Sequence, residues 1–178
     1  MGEVTRWLAF LRGINIGNRR VRMEALRTAF DELGLSDVAT FIASGNVVFA
    51  SQETREVLRP AIEAHLEKAL GFPVPVYLRT PSELRRLAAR RPFGDVPEKN
   101  VQVAFLHAPL SAAAKRALAA LPTADSPVAA SGAHLLWHTP GGVSGSAVAW
   151  PAVETAIGQA STLRGLTTVR KMVERFCG

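Results

Sequence analysis

The stretch VATFIASGNVVFAS (residues 38–51) consists of two runs rich in β-branched and aromatic residues on either side of Gly45-Asn46. Residues of these types are typical of β-strands. A glycine–asparagine pair between two such runs favours a tight hairpin, because the turn positions need positive φ angles. We therefore predict strands at 38–44 and 47–51, with the turn at Gly45-Asn46.

The segments on either side of this hairpin complete a β-α-β-β-α-β order. WLAFLRGI (7–14) is an apolar run that predicts a buried strand, and MEALRTAFDELG (23–34) has helical spacing and ends at a glycine. Residues 53–70 predict a second helix and VPVYLRT (74–80) a strand, which gives the ferredoxin-like pattern.

The second predicted helix contains a proline, and Pro60 indicates that regular helix begins only near residue 59. The apolar positions of its inner face are predicted to be Val57, Ala61, Ile62, Leu66 and Ala69.

The remainder of the chain predicts a second pass through a similar order. Thr80-Pro81-Ser82-Glu83 is a capping box that begins a linking helix to about residue 91. There follow a strand (101–108), a helix (111–121), a hairpin (127–139), a helix near 150–160, a short segment and a final helix (166–176). The tetrapeptides ASGN (43–46) and ASGA (130–133) resemble each other. We predict an α+β fold of two ferredoxin-like units, 1–80 and 81–178, the second with the linking helix and a C-terminal helix.

Composition restricts the class of protein. A chain of 178 residues that is 48% hydrophobic and 20% charged is typical of a globular protein. It has no apolar run of 18 residues and no signal peptide, so we expect a cytoplasmic protein that does not cross a membrane. Cys177, the one cysteine, excludes an internal disulfide and is expected to be exposed.

The net charge of +6 is unevenly distributed. Residues 1–80 hold 10 basic and 9 acidic residues, whereas residues 81–178 hold 11 and 6. This excess favours anionic partners, either small molecules or nucleic acid. The oligomeric state does not follow from the sequence.

A polar segment follows the first predicted strand. It contains Arg12, Gly13, Asn15, Arg19 and Arg20, and no acidic residue lies between Arg12 and Glu24. Since strands 1 and 2 of this topology run the same way, the loop and the turn Ser44-Gly45-Asn46 should emerge at one end of the sheet. Guanidinium groups suit phosphate or carboxylate. The plainer alternative is that the glycines shape a turn and the arginines form a solvated face.

Other site chemistries find little support. GINIG (13–17) matches neither the nucleotide nor the dinucleotide loop, and the histidines lack metal-binding spacing, so we predict no metal and no cofactor. His134 and His138 are expected at the surface or at an edge. RRLAARR (85–91) predicts the basic outer face of a helix, without the aromatic pattern of an RNA-recognition sheet.

The segments FLRGINIGN, MEALRTAFDELGL and FIASGNVVF resemble the bacterial family called domain of unknown function 1697. This resemblance implies a compact α+β protein of ferredoxin-like character with no assigned activity. Its motifs correspond to residues 11–15, Met23 and 44–46. A later family motif, Arg-Asn-Trp-Asn-Thr followed by Lys-Leu, is matched here only at Arg164, Thr168 and Lys171. Arg164 and Lys171 would add positive charge to the site if the last helix folds back over the first unit.

Three functions follow as hypotheses. The first is binding of an anionic ligand or nucleic acid, with candidate residues Arg12, Gly13, Asn15, Arg19, Arg20, Ser44, Gly45, Asn46, Arg164, Thr168 and Lys171. The second is an enzyme acting on a small phosphorylated or carboxylated substrate, although no general base is evident beyond Glu24 and no catalytic residue is assigned. The third is a structural or self-associating module that uses exposed sheet edges.

Overall fold

The computed structural model describes residues 2–123, 125–146 and 148–178, except for the side chains of Ala43 and Ser44. The chain divides into two compact units, Met1–Leu84 and Arg85–Gly178. Each unit contains a four-stranded antiparallel sheet, and the described residues form six α-helices in all. The protein therefore has a mixed α+β fold.

Unit 1 has the order of elements predicted from the sequence. It comprises β1 (Thr5–Leu11), α1 (Met23–Glu32), β2 (Ser36–Phe41), β3 (Ala43–Ser51), α2 (Arg55–Leu70) and β4 (Val76–Arg79), and it ends within α3 (Pro81–Ala88). Gly34 and Gly71 follow α1 and α2 with positive φ angles of 74° and 84°, a conformation that glycine adopts without steric cost.

The sheet of unit 1 has the strand order β2-β3-β1-β4, so β1 is central. In the register, Phe10 lies opposite Asn46 on β3 and opposite Tyr77 on β4. One face of β1, with Trp7, Ala9 and Leu11, packs into the core cluster that also holds the inner residues of α1 and α2. Leu8 and Phe10 on the other face are fully buried as well. This explains why WLAFL is apolar throughout and does not alternate.

The predicted position of the β2–β3 turn is wrong. The strands pair up to Phe41 and Ala43, and the residue between them, Ile42, has a φ angle of 63°. Gly45 and Asn46 lie inside β3. The reason is that β3 pairs with β1 as far as Asn46, and this long-range ladder keeps the Gly-Asn pair extended. Local turn preference is overridden by strand pairing.

The predicted start of α2 near residue 59 is also wrong. The helix begins at Arg55 and contains Pro60. Its buried residues are Leu58, Ile62 and Leu66, one turn apart, whereas Val57 is 51% exposed. Packing of this stripe against the sheet offsets the backbone hydrogen bond that Pro60 cannot form.

Unit 2 repeats the order of unit 1. After α3 and a short 3-10 turn (Glu98–Asn100), it contains β5 (Val101–Phe105), α4 (Ala112–Ala119), β6 (Val128–Ser131), β7 (His134–His138), α5 (Trp150–Ile157), β8 (Thr162–Gly165) and α6 (Leu166–Phe176). The strand order is β6-β7-β5-β8, the counterpart of the first sheet. β8 is the segment to which the sequence assigned no structure.

The two central strands correspond in sequence and in register. Leu8-Ala9-Phe10-Leu11 in β1 matches Val103-Ala104-Phe105-Leu106 in and after β5. Leu8 lies opposite Arg79 of β4, and Val103 lies opposite Arg164 of β8. This repeat is a clearer sign of internal similarity than the tetrapeptides ASGN and ASGA.

The capping box predicted for α3 is confirmed. The Thr80 hydroxyl oxygen accepts from the Glu83 N–H at 3.3 Å, and a Glu83 carboxylate oxygen accepts from the Thr80 N–H at 2.8 Å. The helix ends at Ala88 and not near 91. Pro92 contributes to this early end, because a proline disfavours the helical conformation of the residue before it.

Two expectations about exposure are wrong. Cys177 is 2% exposed, because α6 turns its apolar side inward and the Cys177 N–H continues the helix by donating to the Val173 carbonyl. His134 is buried on β7, where its ring lies edge-on to Phe105 at 5.3 Å between centroids. His138 is half-buried and stacks on Phe93.

The inward face of α2 can be tested with two neighbouring residues. Leu58→Ala should lower the free energy of unfolding by about 2–5 kcal/mol, because it leaves a cavity in the core. Val57→Ala, on the exposed side, should change it by about 0.5 kcal/mol or less. Urea denaturation followed by circular dichroism measures both, and equal losses in the two variants would contradict this orientation.

Candidate functional site

The loop after β1 and the β2–β3 connection lie at the same end of the strands of the first sheet, as the topology predicts. Phe10, near the end of β1, pairs with Asn46 near the start of β3. The Arg12 N–H then donates to the Pro75 carbonyl at 3.0 Å, which extends the pairing of β1 one residue beyond β4. Residues 12–22 leave the sheet at this end of β1 and lead into α1.

Buried side chains and internal hydrogen bonds hold this loop in shape. Ile14 is buried in the core, and Val21 packs against the same cluster. Between them, the Asn15 side-chain oxygen accepts from the Val21 N–H at 2.8 Å. Gly13 and Gly17 have φ angles of 74° and 55°, which permit the reversal. Gly13 and Asn15 therefore shape the loop, and any contact of theirs with a ligand stays a prediction.

Arg19 and Arg20 are the exposed charges of the loop. The Arg19 guanidinium lies 4.2 Å from the centroid of the Phe72 ring and donates to the Gly13 carbonyl at 3.4 Å. Arg20 donates to the carbonyls of Gly17 and Arg19 at 2.9 and 2.7 Å. Neither forms an ion pair with any residue that the structure describes. Carbonyls orient the two groups, and their positive charge faces solvent.

Arg12 differs from these two in being half-buried at the exit of β1. It takes part in interactions of its own within the fold, so it is not a free cation. Its role as an anion ligand stays a prediction.

The residues predicted for the other wall of the site have mixed positions. The side chain of Ser44 lies outside the described part of the structure. Gly45 is a half-buried residue of β3. Asn46 is 1% exposed, and its amide nitrogen donates to the Phe41 carbonyl at 3.2 Å, which ties the hairpin together.

The C-terminal candidates belong to unit 2. Arg164 lies on β8 and donates to the Thr162 hydroxyl at 2.9 Å and to the Leu163 carbonyl at 2.8 Å. Burial lowers the pKa of its guanidinium to about 10, so it remains a cation at neutral pH. Thr168 is half-buried and Lys171 exposed on α6. Their membership of one site with the loop stays a prediction.

Sequence reasoning missed a charged cluster around the buried Arg79 at the end of β4. Arg79 is 3% exposed, and burial lowers its pKa to about 10, while the nearby Glu83 carboxylate acts in the opposite direction. Arg55 at the start of α2 donates to both Glu83 oxygens, at 2.7 and 2.6 Å. The sequence did contain a signal for it, the Leu-Arg pair that occurs at 78–79 and again at 163–164. The two pairs occupy matching positions in the last strand of each sheet.

The Arg55–Glu83 pair joins two helix starts. Arg55 is the first residue of α2, and Glu83 caps α3. The cluster lies toward the end of the strands opposite the loop, since Arg79 pairs with Leu8 and Tyr77 with Phe10. We regard it as a structural element that connects the starts of α2 and α3 at this end of unit 1.

A cavity in unit 1 also lies away from the loop. It has a volume of about 450 Å³ and lies between the end of α1, the start of β2 and the first turns of α2. None of the predicted ligand residues is among those that line it.

Two kinds of feature are absent from the described residues. Within 2–123, 125–146 and 148–178 there is no group of three or more His, Cys, Asp or Glu side chains placed to hold a metal ion. No helix in the same ranges is long and apolar enough to span a bilayer.

Comparison with protein families now adds to this geometry. Residues 4–135 match the family described as "Protein of unknown function (DUF1697)". The chain belongs to the DUF1697 family. The match includes the loop 12–22 and the β2–β3 hairpin, so the resemblance seen in the motifs is confirmed.

Among solved structures, this DUF1697 protein is similar to the conserved bacterial protein SP0830 from Streptococcus pneumoniae. The TM-score is 0.80 at 22% sequence identity, and the match covers 99% of this chain and 100% of the other. At this identity the similarity shows a shared fold and carries no activity across. A comparison with curated proteins found no match.

The charged cluster at β4 predicts an acid-dependent loss of stability. Burial raises the pKa of Glu83, but the hydrogen bond from Arg55, the Thr80 N–H and the charges of Arg55 and Arg79 outweigh it and lower the pKa below its ordinary value. A lowered folded-state pKa stabilises the fold above the unfolded pKa, about 4.3, and this contribution is lost as the pH falls through the folded value.

Glu83→Gln should therefore reduce the free energy of unfolding at pH 7, with a difference from wild type that shrinks at acid pH. Urea denaturation between pH 3 and 7 measures this difference, with Glu67→Gln on the exposed face of α2 as the control. A difference that stayed constant with pH would show that the carboxylate charge is not the cause.

Proposed function

We propose that unit 1 binds the phosphate or carboxylate group of a ligand at the loop 12–22, whether the ligand is a small molecule or nucleic acid. The observation that carries the proposal is the positive charge of Arg19 and Arg20, exposed and without a described ion-pair partner. Hydrogen bonds to loop carbonyls orient both guanidinium groups while leaving other N–H donors of each fork for an anion.

The start of α1 supports the same proposal. The helix begins at Met23, directly after the arginines, and its N-cap residue Arg22 makes no side-chain capping bond. The first N–H groups of a helix and its dipole favour a negative charge nearby. Glu24 in the first turn partly satisfies this preference, so the arginines are the main attraction.

The full proposed ligand set extends from this core. Arg12, Ser44 and Gly45 would complete the site at this end of the sheet in unit 1. We further propose that the protein is cytoplasmic. We also propose that both units are ferredoxin-like and that they comprise residues 1–80 and 81–178. The strand orders β2-β3-β1-β4 and β6-β7-β5-β8 support the ferredoxin-like description.

An enzyme acting on a phosphorylated or carboxylated substrate is the weaker proposal. It would need Ser44 or Asn46 to face a substrate, and the Asn46 amide is buried and bonded to the Phe41 carbonyl. Binding without catalysis needs only the exposed arginines.

The anion-binding proposal can be tested by removing both exposed charges. Arg19→Gln/Arg20→Gln should weaken binding of the best ligand about tenfold or more, because charge-assisted hydrogen bonds contribute about 1.5–3 kcal/mol each. A thermal-shift screen with nucleotides, sugar phosphates, small carboxylates, short RNA and short DNA identifies that ligand. At 100 times its Kd, a ligand stabilises the fold by about 2.7 kcal/mol.

The matched control is Lys115→Gln/Arg116→Gln, which removes two adjacent exposed charges from α4. It should bind like wild type. Equal weakening in both variants would indicate a general charge effect and contradict the assignment to the loop. A steep dependence on salt would identify a nucleic acid, and a shallow one a small anion.

A further inference from the structure

Unit 2 contains a small cavity that combines cationic and apolar side chains. Its volume is about 60 Å³. Its lining includes the cationic residues Arg90, Arg91 and Arg170 and the apolar residues Val101, Leu136 and Leu166. These three apolar residues are buried, so the wall belongs to the packed interior of the unit. The cavity is independent of the loop proposed above as the anion site.

A defined turn brings Phe93 to this cavity. The Gly94 N–H donates to the Arg91 carbonyl at 3.3 Å, and Gly94 has a φ angle of 70°. Proline at the second position of such a turn and glycine at the fourth are both favoured. The turn Arg91-Pro92-Phe93-Gly94 thus holds an aromatic ring beside two arginines, and His138 stacks on that ring at 5.7 Å.

The charges around the cavity do not cancel. Arg170 donates to a Glu98 carboxylate oxygen at 3.0 Å and to the Ala88 carbonyl at 3.2 Å, so this pair is neutral together. Arg91 donates only to carbonyls, those of Ala88 and Arg90, and Arg90 is exposed. Among the described residues, neither Arg90 nor Arg91 has an ion-pair partner. The rim of the cavity therefore carries two uncompensated positive charges.

Size and lining restrict what could enter. A water molecule needs roughly 10–15 Å³ of such volume, so the cavity accepts roughly four to six non-hydrogen atoms. A phosphate has the right size, but its oxygens would be desolvated against an apolar wall without hydrogen-bond partners. A carboxylate with two or three carbon atoms beyond its carboxyl carbon would leave its charge with the arginines at the rim and its carbon chain against the wall.

We infer that this cavity is a second binding site, specific for a short-chain monocarboxylate held at the rim by Arg90 and Arg91. The carbon chain lies against Phe93, Val101, Leu136 and Leu166. The same chemistry is offered by a free short-chain acid and by the C-terminal carboxylate of a polypeptide that ends in a small apolar residue.

The test is isothermal titration of the full chain with acetate, propionate, butyrate and hexanoate, and with inorganic phosphate. Affinity should rise with chain length to butyrate, which has six non-hydrogen atoms, and should not rise further to hexanoate. No binding by any of these acids, or tighter binding of phosphate than of butyrate, would overturn the inference.

Two variants locate the site. Arg90→Gln/Arg91→Gln should weaken butyrate binding about tenfold, because both charges at the rim are lost. Val96→Phe should weaken it similarly by filling the cavity, with no change in charge, since Val96 also lines it. Circular dichroism confirms that each variant is folded. Lys115→Gln/Arg116→Gln should bind butyrate like wild type, and unchanged binding in both site variants would place the acid elsewhere.

A short peptide ending in Ala-Val, with and without C-terminal amidation, separates the two sources of the carboxylate. Binding tighter than butyrate and lost on amidation assigns the site to a polypeptide C-terminus. If butyrate binds and the peptide does not, the site is assigned to a free acid. Equal binding of the amidated and free peptides would contradict recognition of a carboxylate.

Discussion

β1 pairs through its backbone with β3 on one side and β4 on the other, and its side chains from Trp7 to Leu11 are buried on both faces. A charged side chain on this buried stretch would be desolvated without compensation. The polar residues that follow it are therefore confined to the point where pairing ends, at Arg12. The location of the loop 12–22 is a consequence of this burial.

Unit 2 satisfies the same constraint with β5 as its central strand. The last strand of each sheet carries an arginine opposite matching positions of the central strands, Arg79 opposite Leu8 and Arg164 opposite Val103. Each donates to the carbonyl of the preceding leucine, and burial lowers the pKa of each to about 10. In unit 1, Glu83 and Arg55 complete the cluster. A buried cation persists only where such partners are available.

Both proposed sites rest on short connections held by the fold. Buried Ile14 and the positive φ of Gly13 shape the loop below Arg19 and Arg20. The turn closed at Gly94 shapes the segment that carries Arg90 and Arg91. In each case glycine permits a conformation that directs neighbouring charges to the surface, while the scaffold limits their movement. The two sites differ in their walls, since only the second has an apolar cavity beside its charges.

Much of the fold follows from local sequence, because its signals are local. The apolar run 7–11 predicts β1, helical spacing predicts α1, and Thr80 with Glu83 predicts the cap of α3, which the hydrogen bonds confirm. Arg19 and Arg20 can be recognised as candidate ligands for the same reason, as cations in a segment without acids.

What the tertiary structure alone decided depends on contacts between residues distant in the chain. Pairing of β3 with β1 places Gly45 and Asn46 inside a strand and the turn at Ile42, against local preference. Packing of Leu58, Ile62 and Leu66 keeps Pro60 within a helix, and the inward-facing apolar side of α6 leaves Cys177 buried. The cavity beside Arg90 and Arg91 is lined from α6, β5 and β7, so no single segment of sequence contains it. Sequence determined most of the elements and where charge is concentrated, because those depend on neighbours along the chain. The long-range contacts decided which residues are enclosed, because burial depends on neighbours in space.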